Sequence, residues 1–150
     1  MGTGLLKLKI FLIIVVGLSL IVGCVHDHSG SNTPEEALKE IHKNDDYAPQ
    51  VIDILDIVEI NSSRVFAIYE VLTEEGEKDI LIANIELNER NNWTLTDAIN
   101  IGLPSHKDIL DITSSTLNFQ AGYRKKSDEY EDLIIVDIGD ADLEIWIKLK

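Results

Sequence analysis

The residue of this sequence with the clearest chemistry is Cys24, the single cysteine of the 150-residue chain. It stands directly after an apolar run of 14 residues, 10–23, which Lys7 and Lys9 precede. A short basic segment, an apolar core of this length and a small residue before the cleavage point are typical of a secretory signal. A membrane-spanning helix needs about 20 apolar residues, so the run favours a signal over a permanent span. The sequence therefore predicts an exported protein.

Residues Ile21, Val22, Gly23 and Cys24 resemble the lipobox of bacterial lipoproteins, in which an aliphatic residue, a small residue, Gly or Ala, and Cys follow one another. The first two positions of that pattern are most often Leu and then Ala or Ser. The resemblance implies a diacylglyceryl group on the Cys24 sulfur, cleavage between Gly23 and Cys24, and membrane contact through the lipid. Two acyl chains anchor a protein stably, whereas one does so only marginally. An ordinary signal peptide that leaves a free thiol and an uncleaved N-terminal helix are the alternatives.

The histidines offer two further kinds of chemistry. His26 and His28 flank Asp27 and are the weak candidates for a metal site, but zinc needs a third and a fourth ligand, so we expect no metal there. His42 and His106 are the remaining histidines that could act as a general base. Neither belongs to a catalytic motif, and a surface histidine is the preferred interpretation of both.

Acidic residues surround Gly139, and they raise the question of calcium. The chain lacks the D-x-[DN]-x-[DN]-G order of a loop that wraps the ion, and a hairpin turn explains Gly139 and Asp140 without a ligand. The sequence therefore favours a turn. The acidic residues concerned are Asp137, Asp140, Asp142 and Glu144.

Residues 124–126, Arg-Lys-Lys, are the basic cluster of the exported part, and four acids follow within residues 128–132. The cluster could hold an acidic partner or a lipid headgroup. We prefer a solvated hairpin loop whose opposite charges offset each other.

A catalytic function finds no support in the sequence motifs. No Gly-rich phosphate-binding motif occurs, and a cysteine nucleophile is excluded if Cys24 carries lipid. Removal of residues 1–23 leaves 11 basic and 27 acidic residues, a net charge of −16 with neutral histidines. This balance opposes nucleic-acid binding, which needs basic patches, and repels the body from an anionic membrane surface. We expect a non-enzymatic protein without a cofactor.

Local patterns divide the exported chain into a flexible tether, residues 24–32, and an acidic domain, residues 33–150. Thr33, Pro34 and Glu36 form a helix start with a capping box, and the helix should end near Lys43 and cover one face of a sheet. After it, β-branched runs alternate with turn residues and predict strands. The predicted strands are 51–60, 65–72, 79–87, 93–99, a run through Leu117, Phe119, Ala121 and Tyr123, and finally 133–138 and 143–149.

Two segments are ambiguous. Val51, Ile54, Leu55 and Val58 would also share a helical face, and residues 100–115 could be helix, strand or loop. With these reservations the prediction is an α+β fold: one N-terminal helix packed on an antiparallel β-meander of about six to seven strands in a single domain.

The order of helix, meander and tryptophan-bearing strands is similar to that of small uncharacterised lipoproteins of Gram-positive bacteria, a resemblance that carries no site residues. We therefore expect a lipid-anchored, non-enzymatic binding or accessory domain on the outer face of the cell membrane, with an unidentified protein or small ligand as partner. The alternative is a structural or regulatory subunit that docks on a membrane complex through a sheet edge or the Thr33 helix.

Overall fold

The computed structural model describes residues 31–44, 48–104, 113–127 and 132–150, and in them one helix and eight strands. Helix α1 is Pro34–Asn44, and the strands are β1 Gln50–Asn61, β2 Arg64–Leu72, β3 Lys78–Leu87, β4 Trp93–Asn100, β5 Thr113–Ser115, β6 Phe119–Lys125, β7 Ile134–Val136 and β8 Leu143–Leu149. The strands form two antiparallel four-stranded sheets. This part of the chain is an α+β fold, mostly β.

Helix α1 begins where the capping residues predict. The Glu36 amide donates to Thr33 Oγ1 over 3.2 Å, and the Glu36 carboxylate accepts the Asn32 amide over 3.1 Å. Ala37 and Leu38 are buried against sheet 1, the sheet with strand order β1-β2-β3-β4. The predicted packing of this helix on a sheet is confirmed.

Sheet 1 contains the three hairpins that the turn residues predict. Strand β2 lies between β1 and β3, and every residue from Val65 to Tyr69 is buried. A strand with two buried faces needs a cover on each side. Helix α1 covers one face, and sheet 2, with strand order β5-β6-β8-β7, covers the other.

The prediction of a single meander of six to seven strands is wrong, because β5 to β8 form a sheet of their own. One short helix cannot bury both apolar faces of β2 and β3. The same sandwich buries both faces of β3: Ala83 and Ile85 on the side of α1 and Ile82 and Asn84 on the other side are all fully buried. The core between the sheets includes Phe66 and Phe119, whose ring centroids are 4.8 Å apart.

Strand β1 is irregular in a way that explains its ambiguous sequence pattern. Its register shifts between Val51 and Asp53, between Ile54 and Asp56, and again between Glu59 and Asn61, so three residues of β1 are skipped in pairing with β2. The first two bulges turn the extra side chain outward, and Ile52 and Leu55 are 44% and 40% exposed. The side chains of β1 that face α1, Val51, Ile54 and Ile57, are therefore three residues apart instead of the two of a regular strand. A spacing of three is close to the 3.6 residues of a helical turn.

Sheet 2 differs from the prediction at its ends. Leu117, predicted within a strand, lies in the turn before β6 and is 92% exposed. The turn closes there because the Thr116 amide donates to the Phe119 carbonyl and the Phe119 amide donates to Thr116 Oγ1. Of residues 100–115, Asn100 ends β4 and the last three form β5, while 105–112 lie outside the described residues.

Candidate functional site

The predicted anchor lies outside the described residues. This holds for Gly23 and Cys24 and also for His26, His28 and His106, and what the sequence predicts of them stays a prediction. The described fold begins at Ser31, seven positions after Cys24.

Ser31 is fixed to the edge of sheet 1 by three contacts. It forms a β-bridge with Trp93, in which the Trp93 amide donates to the Ser31 carbonyl over 2.8 Å and the Ser31 amide donates to the Trp93 carbonyl over 3.2 Å. Its hydroxyl donates to a carboxylate oxygen of Glu40 over 2.8 Å. The chain therefore enters the domain at the edge of β4, beside the turn that joins β3 to β4.

His42 lies at the last turn of α1, half-buried, and both of its ring nitrogens are engaged. Nδ1 is 2.8 Å from the Pro49 carbonyl, and Nε2 is 3.1 Å from the Tyr69 hydroxyl. A carbonyl only accepts, so Nδ1 carries the hydrogen in the neutral ring and Nε2 accepts from Tyr69. The prediction of a plain surface position for His42 is thus too simple, because the ring links the helix to the sheet.

The His42–Tyr69 pair has the composition of a catalytic base beside a hydroxyl, but its surroundings favour a structural role. Tyr69 has no exposed surface, so a substrate cannot reach its oxygen. Burial also raises the pKa of Tyr69 far above its ordinary value, which opposes formation of a phenolate. Because both nitrogens of His42 are hydrogen-bonded, neither is left for proton transfer to a ligand.

A polar network on sheet 1 was missed by the sequence reasoning. Asn84 is fully buried, and its Oδ1 accepts Arg64 Nε over 2.8 Å. Its Nδ2 donates to Glu86 Oε1 over 2.9 Å and to Thr96 Oγ1 over 2.8 Å. The signal in the sequence is an Asn within the otherwise apolar stretch ILIANI, since a buried amide requires partners.

The network holds the Arg64 side chain in one place. Arg64 Nε is 3.3 Å from Glu86 Oε1, and its guanidinium carbon lies 5.4 Å from the centre of the Phe66 ring. Among the described residues, no hydrogen-bond partner reaches Arg64 Nη2, although that nitrogen is buried. The guanidinium is therefore held in place, and because Glu86 offsets its charge, little charge is left to attract an anion.

The predicted loop of residues 124–126 is wrong for Arg124, which lies in β6 and is buried. Arg124 Nε is 2.8 Å from Glu144 Oε1 on the neighbouring strand. Lys126 Nζ is 2.9 Å from Asp137 Oδ1, and Lys125 is exposed. Acids thus offset the charges of Arg124 and Lys126, namely Glu144 in β8 and Asp137 in the turn before it.

The acidic residues near Gly139 have structural partners. Asp137 Oδ1 also accepts the Gly139 amide over 2.9 Å, and Asp140 Oδ1 accepts the amides of Asp142 and Leu143 over 2.8 and 3.0 Å. The Lys126 contact, and then the Gly139 amide, lower the pKa of Asp137. Gly139 has φ of 76°, a conformation that favours glycine, so the predicted hairpin turn is confirmed.

Among the described residues, no group of three or more His, Cys, Asp or Glu side chains is arranged to hold a metal ion. Within the same ranges, no helix has the length and apolar composition needed to cross a membrane. Comparison with protein-family models, with curated proteins and with solved structures finds no match to this chain.

Proposed function

We propose that this chain is a bacterial lipoprotein whose α+β domain is held on the outer face of the cell membrane by lipid on Cys24. The observation that carries the proposal is the sequence from Lys7 to Cys24: a basic start, 14 apolar residues and the lipobox-like Ile21 to Cys24. The resemblance implies that Gly23 is the last residue removed and that the acyl chains of a diacylglyceryl group supply the membrane contact.

The position of Ser31 is compatible with this anchor. Its bridge to Trp93 fixes the chain at a sheet edge seven positions after Cys24. A processed chain would therefore need only residues 25–30 between the lipid and the folded domain. That distance keeps the domain close to the bilayer.

We propose further that the domain is a non-enzymatic binding or accessory module without a cofactor. The described histidine, His42, is used in the contact between helix and sheet, and the buried Tyr69 beside it is out of reach of a substrate. Arg124 and Glu144 form an ion pair, Lys126 and Asp137 form another, and Asp140 accepts backbone amides of its turn. These arrangements support a structural rather than a chemical use of the titratable groups.

The docking alternative has one observation in its favour, the exposed Ile52 and Leu55 on edge strand β1. Against strand addition there, the Ile54 amide donates to Asp53 Oδ1 and the Ile57 amide donates to Asp56 Oδ1, at 2.9 and 2.8 Å. Bulges and occupied amides protect an edge from pairing with another chain. The helix is a weaker docking element, since its apolar face is buried in the domain.

Substitution of Cys24 tests the anchor. We expect Cys24→Ala to abolish labelling by a fatty-acid analogue and to leave residues 1–23 attached, because the modified sulfur is the signal for cleavage. Ser62 is exposed, and Ser62→Ala is the matched control. It should be labelled and processed like the parent chain. Labelling of Cys24→Ala would show that the lipoprotein proposal is wrong. Crosslinking in intact membranes, followed by identification of captured molecules, then separates a protein partner from a small ligand.

A further inference from the structure

The turns of the two sheets fall at two opposite ends of the sandwich. The Leu87 amide donates to the Ser63 carbonyl, which joins the turns 61–63 and 88–92. Strands β4 and β6 run in the same direction. Asn118, just before β6, donates to the carboxylate of Asp97 within β4, and Tyr123, later in β6, donates its hydroxyl to the carbonyl of Gly102, just after β4. The turn 116–118 therefore lies toward the first two turns. We name this the anchor end, and the opposite one, with turns 73–77 and 137–142, the far end.

The chain that leads to Cys24 leaves from the anchor end. Ser31 is paired with Trp93, the residue directly after the turn 88–92. Seven residue steps separate Ser31 from Cys24, and they span at most about 25 Å. Strand β2 alone, with nine residues, is about 30 Å long. A bilayer that holds Cys24 is therefore always near the anchor end, whereas the far end can turn away from it.

The turns at the two ends differ in charge. The three turns of the anchor end contain one acid, Glu89, and one base, Arg90. The two turns of the far end contain six acids and no base, namely Glu74, Glu75, Glu77, Asp137, Asp140 and Asp142. Beside the anchor end, Glu86 is paired with Arg64, Asp97 is bonded to Asn118, and Glu35 and Glu36 lie in the first turn of α1, close to Ser31. Beside the far end, Lys126 is paired with Asp137 and Lys78 with Glu70. An anionic bilayer surface attracts basic groups and repels acidic ones over about a Debye length.

Leu117 adds an apolar contact to the anchor end. It is 92% exposed, more than any other large apolar side chain among the described residues. Such exposure is costly in water and favourable at the boundary between headgroups and acyl chains. Leu117 sits at the tip of its turn between Thr116 and Asn118, which are both uncharged.

We propose that the anchor end rests on the headgroups of the bilayer that holds Cys24, with Leu117 at the contact and the acidic far end directed away from the membrane. The inference rests on the proposed lipid anchor and adds an orientation to it. The net charge of −16 on the processed chain opposes close approach of a second copy and of an anionic surface, except through a neutral face. The turns 61–63, 88–92 and 116–118 contain one acid and one base and so carry no net charge.

Nitroxide labels placed at both ends of each sheet test the orientation. The full chain is produced in a bacterium that processes lipoproteins, and the mature protein is reconstituted in phosphatidylglycerol–phosphatidylcholine vesicles that contain a nickel-chelating lipid. Ser62→Cys and Glu75→Cys place labels at the two ends of β2, and Leu117→Cys and Ala141→Cys do so in sheet 2. All four positions are exposed turn residues. A soluble nickel chelate, which reaches both ends, is the control for label accessibility.

We expect the nickel lipid to increase the spin relaxation rate of the nitroxides at 62 and 117 several-fold more than that of the nitroxides at 75 and 141. The difference should be smaller at high salt. Equal or reversed relaxation, on a protein whose Cys24 carries lipid by mass, would overturn the orientation and leave the anchor standing. Spin–spin broadening at 62 and 117 without a nickel effect would assign the face to a second copy and also overturn it. Uptake of the label by Cys24 of the parent chain would overturn the lipid anchor, and the orientation with it.

Discussion

The Tyr69 hydroxyl lies 3.1 Å from His42 Nε2 and joins the last turn of α1 to the interior strand of sheet 1. Because Nδ1 is held by the Pro49 carbonyl, the ring also fixes the chain that leads into β1. One side chain thus connects the helix, the connection after it and the sheet.

Removal of the Tyr69 hydroxyl should destabilise the domain. We expect Tyr69→Phe to lower the free energy of unfolding in urea by about 1–2 kcal/mol, because His42 Nε2 loses its donor in a half-buried place. In a double-mutant cycle with His42→Ala, the two changes should be coupled by about 1 kcal/mol. Ile41→Ala, on the exposed side of the same helix turn, serves as the control. Strictly additive effects of Tyr69→Phe and His42→Ala would contradict the contact.

The buried tyrosines predict a loss of stability in alkali. Burial raises the pKa of Tyr69, and burial followed by the negative charge of Asp79 raises that of Tyr123. A tyrosine in the unfolded chain loses its proton near pH ~10, whereas the folded protein retains it. Stability is therefore full below about pH 10, and above it the free energy of unfolding should fall by about 1.4 kcal/mol per pH unit for each tyrosine.

Phenylalanine variants isolate this effect. Tyr69→Phe and Tyr123→Phe should each reduce the slope of unfolding free energy against pH, although both lower the stability at neutral pH. Urea titrations across the alkaline range measure the slope. A slope unchanged in both variants would show that neither hydroxyl retains its proton in the folded state.

The Asn84 network should contribute to stability more than an exposed polar residue does. Asn84→Ala leaves Arg64 Nε and Thr96 Oγ1 without their buried partner, at a cost of about 2–3 kcal/mol. Lys148→Ala, at an exposed position of β8, should stay within about 0.5 kcal/mol. Equal unfolding midpoints for the two variants would argue against a buried network.

The bulges of β1 decide which of two neighbouring residues, Ile54 or Leu55, packs against the core. Regular alternation from Val51 would point Leu55 inward and Ile54 outward, whereas in the structure Ile54 packs beside Tyr69 and Leu55 is exposed. We expect Ile54→Ser to destabilise by about 1–3 kcal/mol and Leu55→Ser by less than about 0.5 kcal/mol. Thermal unfolding of the two variants measures the difference, and a larger loss for Leu55→Ser would refute the bulged register.

Local signals explain why most elements could be predicted from the sequence. The capping residues Thr33 and Glu36 act within one helical turn, and the alternation from Leu143 to Leu149 matches β8 at both ends. The turn at Gly139 needs a positive φ, which the sequence marks by glycine.

The assignment of strands to two sheets depends on long-range contacts and could not be predicted in this way. The apolar faces of β2 required two covers, but nothing local shows whether a second sheet or another helix supplies the second one. The bulges of β1 hid the strand period, and Asn84 gained its partners only when β3 met β2 and β4. The anchor depends on neighbouring residues alone, and it stays a prediction because residues 1–30 lie outside the described part of the chain.

Lipid on Cys24 is what anchors the protein in this proposal. The most direct test is to extract the protein from membranes and measure the mass of its N-terminal peptide. We expect a peptide that begins at Cys24, lacks residues 1–23 and carries a diacylglyceryl group on the sulfur, whether or not its amino group is acylated as well. A peptide with residues before Cys24 still attached, or one with an unmodified Cys24 thiol, would contradict the proposal.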